Sequence, residues 1–303
     1  MIDTPWGPLP VADAHVHFFS HRFFASLAAQ KQVAVDAVAA RLEWQLPPPD
    51  PEALAVRWVE ELDRAGIERA VLIASIPGDE DSVIAAARRF PERLHAYAMV
   101  NPLAEGSLER AQAALAGRHL IGLCFFPAMH RYSIQDPRAT AMIELLAARR
   151  GVAFVHCGVL TVGVRKKLEL PSEFDMRFSN PIDLHAVALR FPDVRFVIPH
   201  FGAGYLREAL MVVDLCPNVY LDTSSSNSWM RYEPEPMDLR AVFRRALGVT
   251  GPSRLLFGTD SSFFPRGWHR QIFDAQTRAL YELGVSAADA RLILHDNLVR
   301  LFS

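Results

Sequence analysis

Val11-Ala12-Asp13-Ala14-His15-Val16-His17-Phe18 is the stretch from which the architecture can be read. It is β-type in composition and alternates, so that Asp13, His15 and His17 would share one face and Ala12, Ala14 and Val16 the other. The turn that follows contains no glycine, whereas an open doubly wound sheet usually carries a Gly-rich turn after its first strand. A closed barrel is therefore expected, with the apolar set against surrounding helices and the polar set towards the interior.

Seven further strand-like runs follow, at 69–75, 94–100, 120–126, 152–157, 194–200, 218–223 and 254–259. Several are apolar throughout, as in Ala70-Val71-Leu72-Ile73-Ala74, which suits strands covered on both faces. Helical patterns lie between them, at 51–65, 81–90, 140–149, 183–191, 206–215 and 240–247, with Gly66, Gly151 and Gly248 where C′ glycines would end helices. Eight strand–helix units in 303 residues are the count and size of an α/β fold of the (β/α)8 TIM-barrel type. The segment 23–44 is helical in composition and runs on to Pro47-Pro48-Pro49, so it reads as a short helical insertion after the first strand. One domain, 1–303, is expected.

Half the residues are apolar and 22% charged, and a chain of this length buries enough surface to fold without disulfides or structural metal. A metal site would therefore serve function. The 32 Lys+Arg against 34 Asp+Glu leave no basic field for a phosphate backbone, which argues against nucleic acid as a partner. No succession of roughly eighteen apolar residues occurs, and the start Met1-Ile2-Asp3-Thr4-Pro5-Trp6 has no basic segment followed by an apolar run. The three cysteines, Cys124, Cys157 and Cys216, show neither a disulfide framework nor CxxC spacing. A soluble, cytoplasmic protein is expected, with a homodimer left open.

Chemistry gathers at strand ends. Two imidazoles at i and i+2, His15 and His17, can converge on one point and supply adjacent metal ligands. The fifth run brings His156 at its end, the sixth His200 and the eighth Asp260. A barrel keeps its active site at the C-terminal ends of its strands, so one register collects all five groups.

Val11-Ala12-Asp13-Ala14-His15-Val16-His17, His156, Pro199-His200-Phe201-Gly202, Leu221-Asp222-Thr223-Ser224, Phe257-Gly258-Thr259-Asp260 and Asp296-Asn297-Leu298-Val299-Arg300-Leu301-Phe302 together resemble the amidohydrolase superfamily. The resemblance is to its amidohydrolase-related branch, which includes aminocarboxymuconate-semialdehyde decarboxylase, resorcylate-type decarboxylases and pyrone-dicarboxylate lactonase. It implies that His15, His17 and His156 bind one divalent metal, zinc or manganese, with Asp260 as a further ligand or as the base beside it. It also implies that His200 contacts substrate or moves protons. Asp13 is expected either to support a ligating imidazole or to be an ordinary polar residue of the strand. Two-metal members carry a bridging Lys or Glu at the end of the fourth strand, where this chain reads Gly122-Leu123-Cys124-Phe125-Phe126-Pro127. The three lysines, Lys31, Lys166 and Lys167, lie elsewhere, which argues against a binuclear site and against TatD-type nucleases. Cys124 reads as core, and the Ser224-Ser225-Ser226 run as a polar loop.

Three functions follow. The leading one is a metal-dependent hydrolase that attacks a small organic acid, lactone or amide through a metal-activated water, with Asp260 taking the proton. The alternative is non-oxidative decarboxylation of an aromatic or unsaturated acid, with His200 or Asp260 delivering a proton to carbon. The third is a barrel without catalysis that serves as a binding protein. Cations on the loops after strands (Arg131, Arg165, Arg177, Arg266) and aromatics beside them (Phe126, Trp229, Phe263) point to a flat anionic substrate. Arg165 and Arg177 are the expected carboxylate-binding residues.

Overall fold

The computed structural model describes residues 1–225 and 227–302. An antiparallel hairpin, β1 (Ile2–Thr4) and β2 (Gly7–Leu9), precedes the barrel. Its strands are too short to show a pattern in the sequence, and the Thr4 hydroxyl, which donates to Gly7 O at 2.6 Å, holds the turn.

Eight parallel strands then succeed one another in chain order, each paired with the next. They are β3 (Ala12–Phe18), β4 (Arg69–Ala74), β5 (Leu94–Val100), β6 (Leu120–Phe125), β7 (Val152–Val155), β8 (Arg195–Ile198), β9 (Val219–Asp222) and β10 (Leu255–Leu256). The ring is drawn shut where its last strand meets its first. Ala14 N–H donates to Phe257 O at 2.8 Å, Asp260 N–H to His15 O at 3.0 Å and His17 N–H to Ser261 O at 2.7 Å.

Alternation divides the strand residues into two cores. Val71, Ile73, Tyr97, Met99, Cys124, Phe154, Val197 and Leu256 fill the barrel interior. Their neighbours Leu72, Ala98, Leu123, Val155, Ile198 and Leu221 pack against the surrounding helices. The expected phase of the first strand needs correction. Ala12 and Ala14 belong to the interior core, and the register of β3 against β4 shifts between Asp13 and Val16. That bulge reverses the alternation, so Val16 and Phe18 join the outer core while His15 and His17 line the mouth.

Two helices, α1 (His21–Lys31) and α2 (Val35–Leu42), follow β3 and share a small apolar cluster with Val164 and Leu168. The barrel helices include α3 (Pro51–Ala65), α4 (Glu80–Arg89), α5 (Ser107–Ala116), α6 (Pro127–His130), α7 (Pro137–Ala147), α8 (Gly163–Lys167), α9 (Ile182–Arg190), α10 (Leu206–Leu215), α11 (Leu239–Thr250) and α12 (Arg270–Glu282). Gly66 ends α3 in the left-handed region, as expected. The other two glycines do not act so. Arg150 takes the left-handed position after α7, with Gly151 N–H closing the turn onto Leu146 O at 2.9 Å. Gly248 lies inside α11, which runs on to Thr250.

Candidate metal centre

The floor of the barrel mouth holds His15 and His17, whose outer nitrogens are already engaged. His15 Nδ1–H donates to Asp222 Oδ2 at 2.6 Å, both residues being buried. His17 Nδ1 lies 3.0 Å from Ser75 Oγ, and that hydroxyl donates onward to Ile73 O at 3.2 Å. Each imidazole therefore carries its proton on Nδ1 and offers the Nε2 lone pair.

Those two Nε2 atoms face each other 3.4 Å apart. Asp260 Oδ1 stands 3.7 Å from the first and 3.4 Å from the second. Three acceptors this close repel one another unless a cation lies between them. Zinc at a bond length of 2.0–2.1 Å with tetrahedral angles puts ligand atoms about 3.4 Å apart, so the donor set fits a metal. Among the described residues, the ligand atoms of these three all lie within 4.8 Å of one another. His156 stands outside that group. It stacks on Phe126 with ring centroids 5.2 Å apart, lies 5.3 Å from the His200 ring, and has a buried Nδ1 without a partner among the described residues.

The backbone holds these groups by force. Asp260 has φ of 59° and His200 of 55°, conformations uncommon for residues with a Cβ that must be sustained by the surroundings. Gln276 of α12 supplies part of that support. Its Nε2 donates to Thr223 O and Gly258 O, each at 2.9 Å, and its Oε1 accepts from Thr223 Oγ1 at 2.6 Å. One buried amide thus ties the ends of β9 and β10. Gly158 does the same between β7 and β8: a Cβ there would stand 2.1 Å from Gly202 O, at a φ of +80°.

Asp13 does not touch an imidazole, because the bulge in β3 turns it the other way. It accepts from His15 N–H at 2.9 Å, Thr259 N–H at 3.1 Å, Thr259 Oγ1 at 2.5 Å and Trp268 Nε1 at 2.8 Å. It is a clamp across the seam. The residue that supports His15 is Asp222, which a strand-end carboxylate after apolar Val219-Tyr220-Leu221 could have signalled. Ser224 Oγ, 3.0 Å from His15 Nδ1 and 2.9 Å from His200 Nδ1, links two imidazoles. Ser226 lies outside the described residues.

Charge at the floor follows from burial. Burial pushes the Asp260 carboxyl up to about 7, against the pull of His15, while neighbouring Asp222 adds to the rise. Asp13 is pushed to about 6 by burial, against its hydrogen bonds. Burial, with His15 close by, brings His200 down to about 4. His17 and His156 are likewise held well below the ordinary value by burial and by their fellow imidazoles. Burial opposes a charge on His15, yet Asp222 and two further carboxylates outweigh it and raise His15.

Above the floor opens a cavity of about 490 Å³ lined by Phe19, Phe23, Trp44, Phe126, Trp229 and Phe263. Trp44 and Phe263 stack with centroids 4.1 Å apart. The expected cations are placed differently. Arg177 is 83% exposed and paired with Asp175 at 2.6 Å. Arg165 donates twice to Pro171 O and once to Gln30 Oε1, so its guanidinium is occupied in holding a loop. Neither lines this cavity. Arg266 and Lys167 do; Arg266 donates to Asp260 O at 3.3 Å and Ser262 Oγ at 3.0 Å and lies over the Phe263 ring, and among the described residues neither cation has a carboxylate partner within 4.0 Å. Sequence position after a strand shows which loop a cation is on, not what its side chain has already bound.

The chain is thus a parallel barrel with a candidate His-His-Asp metal site at the C-terminal ends of its strands. The profile described as Amidohydrolase matches residues 12–303, and the chain belongs to that family. A 107-residue stretch is 31% identical to Protein fluG of Emericella nidulans; the match covers 34% of this chain and only 12% of that protein. Among solved structures, the fold is similar to 5-carboxyvanillate decarboxylase of Novosphingobium aromaticivorans with bound manganese (13% identity, TM-score 0.65, covering 100% of this chain and 99% of that one). It is also similar to an amidohydrolase of Burkholderia multivorans with bound zinc (18%, 0.65, 97% and 99%). A third is a probable 2-pyrone-4,6-dicarboxylic acid hydrolase of Acinetobacter baumannii (16%, 0.61, 97% and 99%). No described helix is long and apolar enough to cross a membrane.

Proposed function

We propose that the protein is a metal-dependent hydrolase of a small anionic ester, lactone or amide. The observation that carries this reading is the triangle of His15 Nε2, His17 Nε2 and Asp260 Oδ1 on the floor of an aromatic-walled cavity. These three would hold one divalent ion, zinc by preference for an N/O donor set. His156, lining the same cavity with an unpartnered nitrogen, is the candidate fourth ligand. When bound, such an ion polarises a carbonyl and makes water acidic.

The chain's own groups supply the rest. Asp260, whose Oδ1 stands 3.4 Å from His17 Nε2 at the edge of the triangle, takes the proton from the attacking water and passes it to the leaving group. His200, neutral and held by Ser224, contacts the substrate. Arg266 and Lys167 receive the substrate's carboxylate at the mouth, with Phe126, Trp229 and Phe263 against its flat face. Three free, buried thiols suit a reducing cytoplasm.

Decarboxylation is the second reading, supported by the likeness in fold to 5-carboxyvanillate decarboxylase. In that reaction His200 or Asp260 would deliver a proton to carbon. A screen of aromatic acids, pyrones, lactones and amides with zinc- and manganese-loaded protein separates the two. Release of carbon dioxide marks the lyase, and incorporation of ¹⁸O from labelled water into the product acid marks the hydrolase. Failure of every metal-loaded form on both substrate sets would refute both.

A further inference from the structure

A second cavity, of about 580 Å³, lies beside the first. Phe23, Ser75, Met99, Met129, Val162 and Val164 line both, so the two chambers adjoin along these side chains. Ser75 among them is the partner of His17 Nδ1, which brings the second chamber to within one side chain of the candidate metal centre. The loop bearing α8 lends Val162 and Val164 to both linings. It is fastened to α1 and α2 by buried Val164 and Leu168, by Arg41–Glu169 at 2.8 Å and by the Arg165 bond to Gln30, and it is braced within itself by the Arg165 bonds to Pro171 O.

The chambers differ in charge. The first carries Arg266 and Lys167 without carboxylate partners among the described residues. In the second the ionic groups are already matched. Arg131 donates to Glu173 Oε2 at 2.9 Å and to Glu173 O at 2.8 Å, and Arg165 is tied as described. What remains there is a mixture of Ser26, Gln30, Asn101 and His130 with Leu27, Ile76 and Phe174. Such a lining suits a neutral amphipathic group and, among the described residues, offers an anion no unmatched cation.

We propose that the second chamber is the leaving-group subsite: the substrate has an anionic acyl part, held in the first chamber, and a neutral aryl-bearing alcohol or amine part held in the second. Deepening the hydrolase reading, it rests on that reading for its chemistry. Water adds to the carbonyl carbon, the C–O or C–N bond breaks, and the leaving group departs with the proton that Asp260 took from water.

Binding and turnover test the two ideas separately. Benzyl alcohol and benzoate serve as probes for the second and first chambers, with saturation-transfer NMR on metal-loaded protein as the readout. Both should bind at once. Ser26→Trp, which fills only the second chamber, should weaken benzyl alcohol by about tenfold or more while benzoate binding is unchanged. Phe174→Ala, which widens that chamber, should instead admit naphthylmethanol, and it decides the matter if the tryptophan variant does not fold. Benzyl alcohol that fails to bind, competes with benzoate, or is indifferent to both substitutions overturns the proposal. Loss of all hydrolysis with this binding pattern intact would refute the hydrolase reading and leave the subsite standing.

Discussion

Asp222 Oδ2 lies 2.6 Å from His15 Nδ1, a contact between two wholly buried residues from strands on either side of β10. The carboxylate fixes the imidazole tautomer, and through it the direction in which the Nε2 lone pair is offered. Asp222→Asn would place an amide where Nδ1 needs an acceptor and allow the proton to move to Nε2. Zinc affinity should fall by about 10–100-fold, measured by competition with a chromogenic chelator, while far-UV circular dichroism stays unchanged.

Asp260→Asn keeps the shape of the side chain and removes the base. Turnover should fall by at least about 10²-fold. A variant with wild-type kcat would show that the proton goes elsewhere.

Metal removal should be felt by the fold as well as by activity. A ligand that binds only the native state stabilises it by about 2.7 kcal/mol at a hundredfold excess over its dissociation constant. Dialysis against a chelator should therefore abolish turnover and lower the melting temperature, and zinc or manganese should restore both. His15→Ala should contain no stoichiometric metal by elemental analysis.

His95 and His130 give the protein an acid limit that does not involve the candidate metal centre. Burial holds both at about 4, against an ordinary value of 6.5. They are neutral when folded, while the unfolded chain takes up protons below 6.5, so their contribution is complete above that pH. It is lost progressively as the pH falls from 6.5 towards 4, with a ceiling of about 3 kcal/mol for each. Chemical denaturation across this range should show the slope, and the His95→Gln, His130→Gln double variant should flatten it.

Gly158→Ala would drive a methyl group into Gly202 O and Ala203 O. Destabilisation by about 2 kcal/mol or more is expected, with metal content and substrate affinity both disturbed, because the same contact sets the ends of the strands bearing His156 and His200.

Much of this arrangement is legible in the sequence because buried parallel strands leave continuous apolar runs, and 94–100 and 51–65 coincide with β5 and α3. The site's histidines are legible for a related reason: a polar residue ending such a run has nowhere to point but the mouth. The bulge in β3 is not legible, since one extra residue reverses an alternation without altering composition. That is why Asp13 faces the seam rather than an imidazole. Arg165 and Arg177 fail for a different reason, as their local partners Pro171 and Asp175 are set by loop conformation rather than by strand register.

The seam where β10 meets β3 also sets a clock. Thr259 and Asp13 are 246 residues apart along the chain, a span that a ribosome takes roughly tens of seconds to cover at about 5–20 residues per second. Through that interval the growing polypeptide displays His15 and His17 with no Asp260 for them to meet. A chain released before Asp260 consequently lacks one corner of the triangle, however well its first strands have paired.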